Sequence, residues 1–107
     1  RNRLAAGDKY LDSGTLYAAR FNADGNGEWL ELSPKNPAIA AYKGFDFKTA
    51  ADICVFTRLA ADAVGATKMD RPEWARVNPK NGEVYITLTN NSERTAATVD
   101  AANPRAY

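Results

Sequence analysis

The sequence predicts an α+β chain of two antiparallel β-hairpins with one helix set between them. Three observations carry this prediction. Strand-forming stretches fold about glycine-containing turns over about residues 15–32 and again over about 73–89. Apolar residues recur at three- and four-residue steps over about 49–64. After Asn90-Asn91-Ser92 the composition turns to Thr, Ala, Asn and Pro with no regular period, which predicts a trailing loop over 90–107.

In the first hairpin, Ser13-Gly14 introduces Thr15-Leu16-Tyr17-Ala18-Ala19-Arg20-Phe21, whose aromatic and β-compatible side chains suit a pleated surface. Asp24-Gly25-Asn26-Gly27 supplies the turn, and Glu28-Trp29-Leu30-Glu31-Leu32 returns. That turn opens like a calcium loop, but Trp29 stands where the sharp-turn glycine belongs and Lys35 where the bidentate glutamate belongs. A plain hairpin turn is therefore expected. Ser33-Pro34-Lys35-Asn36-Pro37 predicts a loop, since two prolines so close together neither continue a strand nor start a helix in place.

On the helix, Ala50, Ile53, Cys54, Thr57, Ala60, Ala61 and Val64 share one face. Thr49 and Asp52 are spaced as a capping box, and Gly65 stands where a left-handed residue closes a helix. Val55 and Leu59 lie on the opposite face, which predicts a cover from more protein than this chain supplies. The second hairpin runs Glu73-Trp74-Ala75-Arg76-Val77, turns at Asn78-Pro79-Lys80-Asn81-Gly82, and returns through Glu83-Val84-Tyr85-Ile86-Thr87-Leu88-Thr89. There Val84, Ile86 and Leu88 alternate with Tyr85, Thr87 and Thr89, the pattern of a strand with one dry face.

Composition excludes several function classes. A chain of 107 residues holds one core at most. With 14 Lys and Arg against 13 Asp and Glu, and no run of either sign, nucleic acid is not an expected partner. No apolar stretch approaches the roughly 20 residues that span a bilayer, and no charged start followed by an apolar run marks a signal peptide. There is no histidine, so His-dependent nucleophile arrangements and His-containing zinc sites cannot be built from this chain alone. Cys54 is the single cysteine and has no partner for an internal disulfide. Carboxylates, amides, Arg and Lys remain, the groups that ligate hard metals and clamp phosphate.

Two hairpins, a helix and a loop do not enclose a conventional core. Short hairpins are the pieces of propeller blades, and a propeller needs several blades to close, so the pattern fits an internal segment, 1–107, of a larger β-propeller. It is equally compatible with a small stand-alone α+β domain.

The stretch from Arg58-Leu59-Ala60-Ala61-Asp62 through Lys68-Met69-Asp70-Arg71-Pro72-Glu73-Trp74 resembles the PhoX family of bacterial alkaline phosphatases. So do Asn78-Pro79-Lys80-Asn81-Gly82-Glu83-Val84-Tyr85-Ile86-Thr87-Leu88-Thr89-Asn90-Asn91, Val99-Asp100-Ala101-Ala102-Asn103-Pro104-Arg105, and the region from Gly14 to Leu30. The resemblance implies a secreted or periplasmic β-propeller that hydrolyses phosphate esters with a cofactor of calcium and iron, and that is several times longer than this chain. The family's iron-binding cysteine lies in a Thr-Cys-Glu-Glu motif that this sequence lacks, so Cys54 does not inherit that role.

By spacing alone Glu73 reads as a solvated glutamate at a strand start. The resemblance makes it a metal ligand at the mouth of a blade, with Pro72 fixing the backbone that aims it. A hairpin brings the start of its first strand and the end of its second to one edge, so Glu73 and Asn90 are expected together, Asn90 (or its neighbour Asn91) as a further metal or phosphate contact and otherwise a turn residue. Arg71 fits a bidentate phosphate clamp, or a partner that orients Glu73. Lys68, Asp70, Asn103 and Arg105 receive no role. The chain alone is expected to bind no metal, to be inactive, and to associate through its exposed hairpin edges with itself or with the remaining blades. A calcium-dependent propeller hydrolase of the lactonase or phosphotriesterase kind is the competing enzymatic expectation. A non-catalytic binding module is the third.

Overall fold

The computed structural model describes Ala5, Lys9 and residues 13–106. The chain divides into two compact units, Arg1–Ala66 and Thr67–Tyr107. Each expected hairpin is present, and each is a two-stranded sheet by itself.

In the first unit, β1 (Leu16–Phe21) pairs antiparallel with β2 (Gly27–Leu32), in register from Leu16 opposite Leu32 to Phe21 opposite Gly27. Gly25 takes φ 85° in the turn, where a residue with a Cβ would be strained, and the Asp24 carboxylate accepts hydrogen bonds from the Asn26 backbone and side-chain N–H groups. These contacts make the loop a turn, as expected. Across the strands Arg20 meets Glu28 at 2.9 Å, an exposed pair.

The expected loop after β2 instead contains a helical turn, α1 (Pro37–Ala40). The physical reason is position: a proline at the first helical residue gives up an N–H that would have no partner anyway, and its fixed φ suits the helix. Asn36 caps it, accepting from the Ala38 N–H at 3.0 Å and donating to the Glu31 carbonyl at 2.7 Å. The turn so anchored buries Ile39 completely.

The single helix expected over 49–64 is two, α2 (Ala50–Val55) and α3 (Thr57–Ala63), separated at Phe56. The Thr57 hydroxyl donates to the carbonyls of Ile53 (2.8 Å) and Cys54 (2.9 Å), which an unbroken helix would offer to backbone N–H groups. Phe56 leaves helical geometry at φ −109°, ψ 39°, with its ring 4.3 Å from that of Phe45. Both expected ends are present. Thr49 and Asp52 form a reciprocal capping box. At the other end Gly65, φ 71°, donates to the Asp62 carbonyl and Ala66 to that of Ala61, a Schellman closure.

The break shifts the helical phase. Ile53, Ala60 and Val64 are buried as expected, whereas Ala50 and Cys54 are exposed. Leu59 packs against the core from the side expected to be covered, while Val55 is exposed. Together with Leu32, Ile39 and Phe47, the three buried helix residues form one apolar core, flanked by Ala18, Leu30, Tyr42 and Phe45.

The second unit holds β3 (Pro72–Val77) and β4 (Val84–Leu88). The Asn78 side chain accepts from the Lys80 N–H and Gly82 takes φ 79°, which turns the chain between them. The expected dry face is not dry. Val84, Ile86 and Leu88 are exposed, as are Trp74 and Val77, and β3 and β4 pair only with each other. After β4 the described residues contain turns and no helix or strand, as expected; Tyr107 lies outside them. Among the described residues no helix is long and apolar enough to cross a membrane.

Candidate functional site

The entry into β3 brings the expected residues to one place. Pro72 pairs with Leu88 and Trp74 with Thr87, so Glu73 is the extra residue of a β-bulge. A bulged residue leaves the alternation of the ladder, and its side chain is freed from the register that fixes its neighbours. Two residues earlier Arg71 has φ 46°, the single left-handed residue other than glycine among the described residues. That conformation is costly for a long side chain and is held here by the Thr89 N–H, which donates to the Arg71 carbonyl at 3.2 Å. Asn90 follows Thr89, so Arg71, Glu73 and Asn90 stand at the same end of the hairpin.

Their side chains are exposed, and among the described residues none of the three makes a hydrogen bond or ion pair. No ion pair joins Arg71 to Glu73 among the described residues. The adjacent Thr89 hydroxyl oxygen is buried without a hydrogen-bond partner among the described residues. Asn91, the alternative to Asn90, is occupied elsewhere: its amide donates to Asp70 at 2.9 Å and its oxygen accepts from the Glu93 N–H.

Beneath this corner lies a polar cluster that pattern reading left without a role. Arg94 grips both Asp70 carboxylate oxygens, with Nε at 2.6 Å and Nη2 at 2.8 Å, and donates with Nη1 to the Thr98 carbonyl. The Asn103 amide brackets the chain ahead of Arg71. Its oxygen accepts from the Asp70 N–H at 2.7 Å, and its NH2 donates to the Lys68 carbonyl at 2.7 Å. Asp100 in turn accepts from Asn103 and Ala102. Asp70 and Asn103 are buried, and the Arg94 and Asn91 hydrogen bonds, with the Arg94 charge, hold the Asp70 carboxyl below the ordinary aspartate range against the opposing effect of desolvation. The partners are 24 and 33 residues apart. No local spacing announces such contacts; the only signal is a chemically competent set of Asp, Asn and Arg, part of it in a trailing segment with no regular apolar period. Arg105 is exposed and makes no hydrogen bond among the described residues.

Glu73 and Asn90 offer oxygens of the kind that calcium and ferric iron prefer. Among the described residues, however, no group of three or more His, Cys, Asp or Glu side chains could hold an ion. The residues fit a contribution to a metal site and not a whole one.

The family model for alkaline phosphatase PhoX matches residues 2–107. The chain is similar, at 43% identity and TM-score 0.70 over 99% of its length, to a solved structure described as Pseudomonas fluorescens PhoX in complex with vanadate, a transition state analogue. It spans 20% of the length of that relative. No curated protein matches it. A family model that takes in nearly the whole chain, and a solved relative that agrees with it in sequence and in fold, place this chain in the PhoX family of alkaline phosphatases.

Proposed function

We propose that this chain supplies one wall of the active site of a metal-dependent phosphatase acting on phosphate monoesters. In this reading Glu73 is a metal ligand, Asn90 an accessory oxygen donor and Arg71 a clamp on the phosphoryl group. The observation that carries the reading is the bulge at Glu73, which sets a carboxylate free of the ladder beside a left-handed Arg71. Two adjacent irregularities at one hairpin end, both bearing charged side chains without partners, favour a site over an ordinary strand start. Support also comes from family membership and from the relative solved with vanadate, a transition state analogue.

When bound, the metal ions, calcium with iron in this reading, polarise the phosphoryl oxygens and neutralise charge as it develops. The contribution of the chain is positional and electrostatic. The planar fork of Arg71 binds two phosphoryl oxygens and stabilises the charge that grows on them as the ester P–O bond breaks and the P–O bond to water forms. Glu73 and Asn90 supply oxygens to a coordination sphere that, for calcium, takes 6–8 of them. The rest of the sphere comes from elsewhere in a larger β-propeller, exported to the periplasm or secreted, and the 107-residue chain alone is inactive.

The test is elemental analysis of the full-length protein carrying this segment, together with hydrolysis of p-nitrophenyl phosphate. Iron together with calcium, and monoester turnover, are expected. Calcium alone with turnover of lactones or phosphotriesters would overturn the assignment. So would a folded, metal-loaded protein without hydrolase activity, which would mark a binding module.

A further inference from the structure

We infer that Asp70, Arg94 and Asn103 are positioning residues for Arg71 and Glu73: a buried polar clamp that holds the corner from which both side chains project. The inference rests on the proposed phosphatase site and deepens it.

Four observations lead there. The buried residues of the second unit, among those described, are Asp70 and Asn103, with the Arg94 side chain only 13% exposed. The clamp is directional, because Arg94 meets Asp70 through two parallel hydrogen bonds and Asn103 holds the backbone at both Lys68 and Asp70. The clamp ends one residue before Arg71. On the far side the ladder begins at once, with the Thr89 N–H on the Arg71 carbonyl and Pro72 opposite Leu88.

Arg71 is thus pinned between two anchors, and it is the residue with φ 46°. An arginine before proline does not hold a left-handed conformation unless its surroundings over-determine it. A buried ion pair adds little net stability over an apolar substitute, so stability alone is a weak reason for placing one at this point. Fixing the direction of a corner is a better one. Groups that orient ligands in this way typically matter by about 10- to 100-fold in metal affinity or activity.

The experiment uses the full-length protein and Arg94→Lys, which keeps the charge and loses the two-bond fork. The expected result is kcat for p-nitrophenyl phosphate lower by about 10- to 100-fold, with less metal bound per folded chain. A purely structural role would lower the melting temperature and leave kcat and metal per folded molecule unchanged; that result overturns the inference. Glu28→Gln, which breaks the exposed Arg20 pair of the other unit, is expected to leave kcat unchanged. Should Arg94→Lys fail to fold, Asn91→Ala removes a single hydrogen bond from Asp70 and is expected to lower kcat by about tenfold, and an unchanged value there also overturns the inference. Glu73→Ala run in parallel separates the failures. Full activity in Glu73→Ala overturns the site and the clamp together, whereas an inactive Glu73→Ala beside a fully active Arg94→Lys overturns the clamp alone.

Discussion

In the unit that ends at Ala66 the buried residues are apolar: Leu32, Ile39, Phe47, Ile53, Ala60 and Val64. In the unit that begins at Thr67 they are Asp70 and Asn103, while Trp74, Val77, Val84, Ile86 and Leu88 stand exposed. The first unit gathers a hairpin and three short helices around a non-directional attraction, which fixes compactness and tolerates swaps of similar volume. The second uses hydrogen bonds of set length and angle, which fix the direction of the chain at one corner. The difference teaches where each kind of interaction is needed. Candidate site residues fall in the directional unit.

The largest expected difference comes from matched isoleucines. Ile53→Ala in the apolar core is expected to cost about 2–5 kcal/mol in urea denaturation, against less than about 1 kcal/mol for Ile86→Ala on the open hairpin. Equal losses would mean that the β3–β4 face is covered in solution.

Acid should divide the units next. The Asp70 carboxyl is held low in the folded state, so its contribution is complete above the unfolded aspartate value near pH 4 and is lost as pH falls through the folded one. Backbone NMR signals from 67–106 are expected to fade at higher pH than those of the core helices. Simultaneous loss would show that the Asp52 carboxylate of the capping box, also held low by its hydrogen bonds from Thr49 and Lys48, matters to the core helices as much as Asp70 does to its own unit.

A smaller effect tests the helix boundary. Thr49→Ala removes the N-cap and is expected to cost about 1 kcal/mol, read in the signals of α2 and α3 and not in those of β3 and β4. The least energetic prediction concerns the exposed apolar face. The 107-residue chain is expected to sediment as a concentration-dependent mixture of monomer and larger species, and Ile86→Lys to shift it toward monomer. A single monomeric species at all concentrations would contradict this.

Much of the architecture was legible because it is local. Both hairpins follow from strand-forming residues around Gly25 and Gly82, and the helical region from Thr49, Asp52 and Gly65, each acting within a few residues of itself. The failures are local too, where two rules compete. Pro37 reads as a breaker and acts as a first helical residue once Asn36 caps it. Thr57 reads as part of a continuous face and instead takes the carbonyls that would have continued it.

The candidate site was half legible. Arg71, Glu73 and Asn90 are candidates through the Arg-Pro-Glu resemblance and hairpin geometry, and they stand at one end of the β3–β4 hairpin. The bulge was not legible, since register depends on which residues of β4 lie opposite. The clamp was out of reach for a different reason: Asp70, Arg94 and Asn103 are joined only by the fold.

The most direct test of the central claim is Glu73→Ala in the full-length protein, with activity, bound metal and melting temperature measured on one preparation. The account predicts a folded protein that has lost phosphatase activity and carries less metal. Wild-type activity with normal metal content would contradict it.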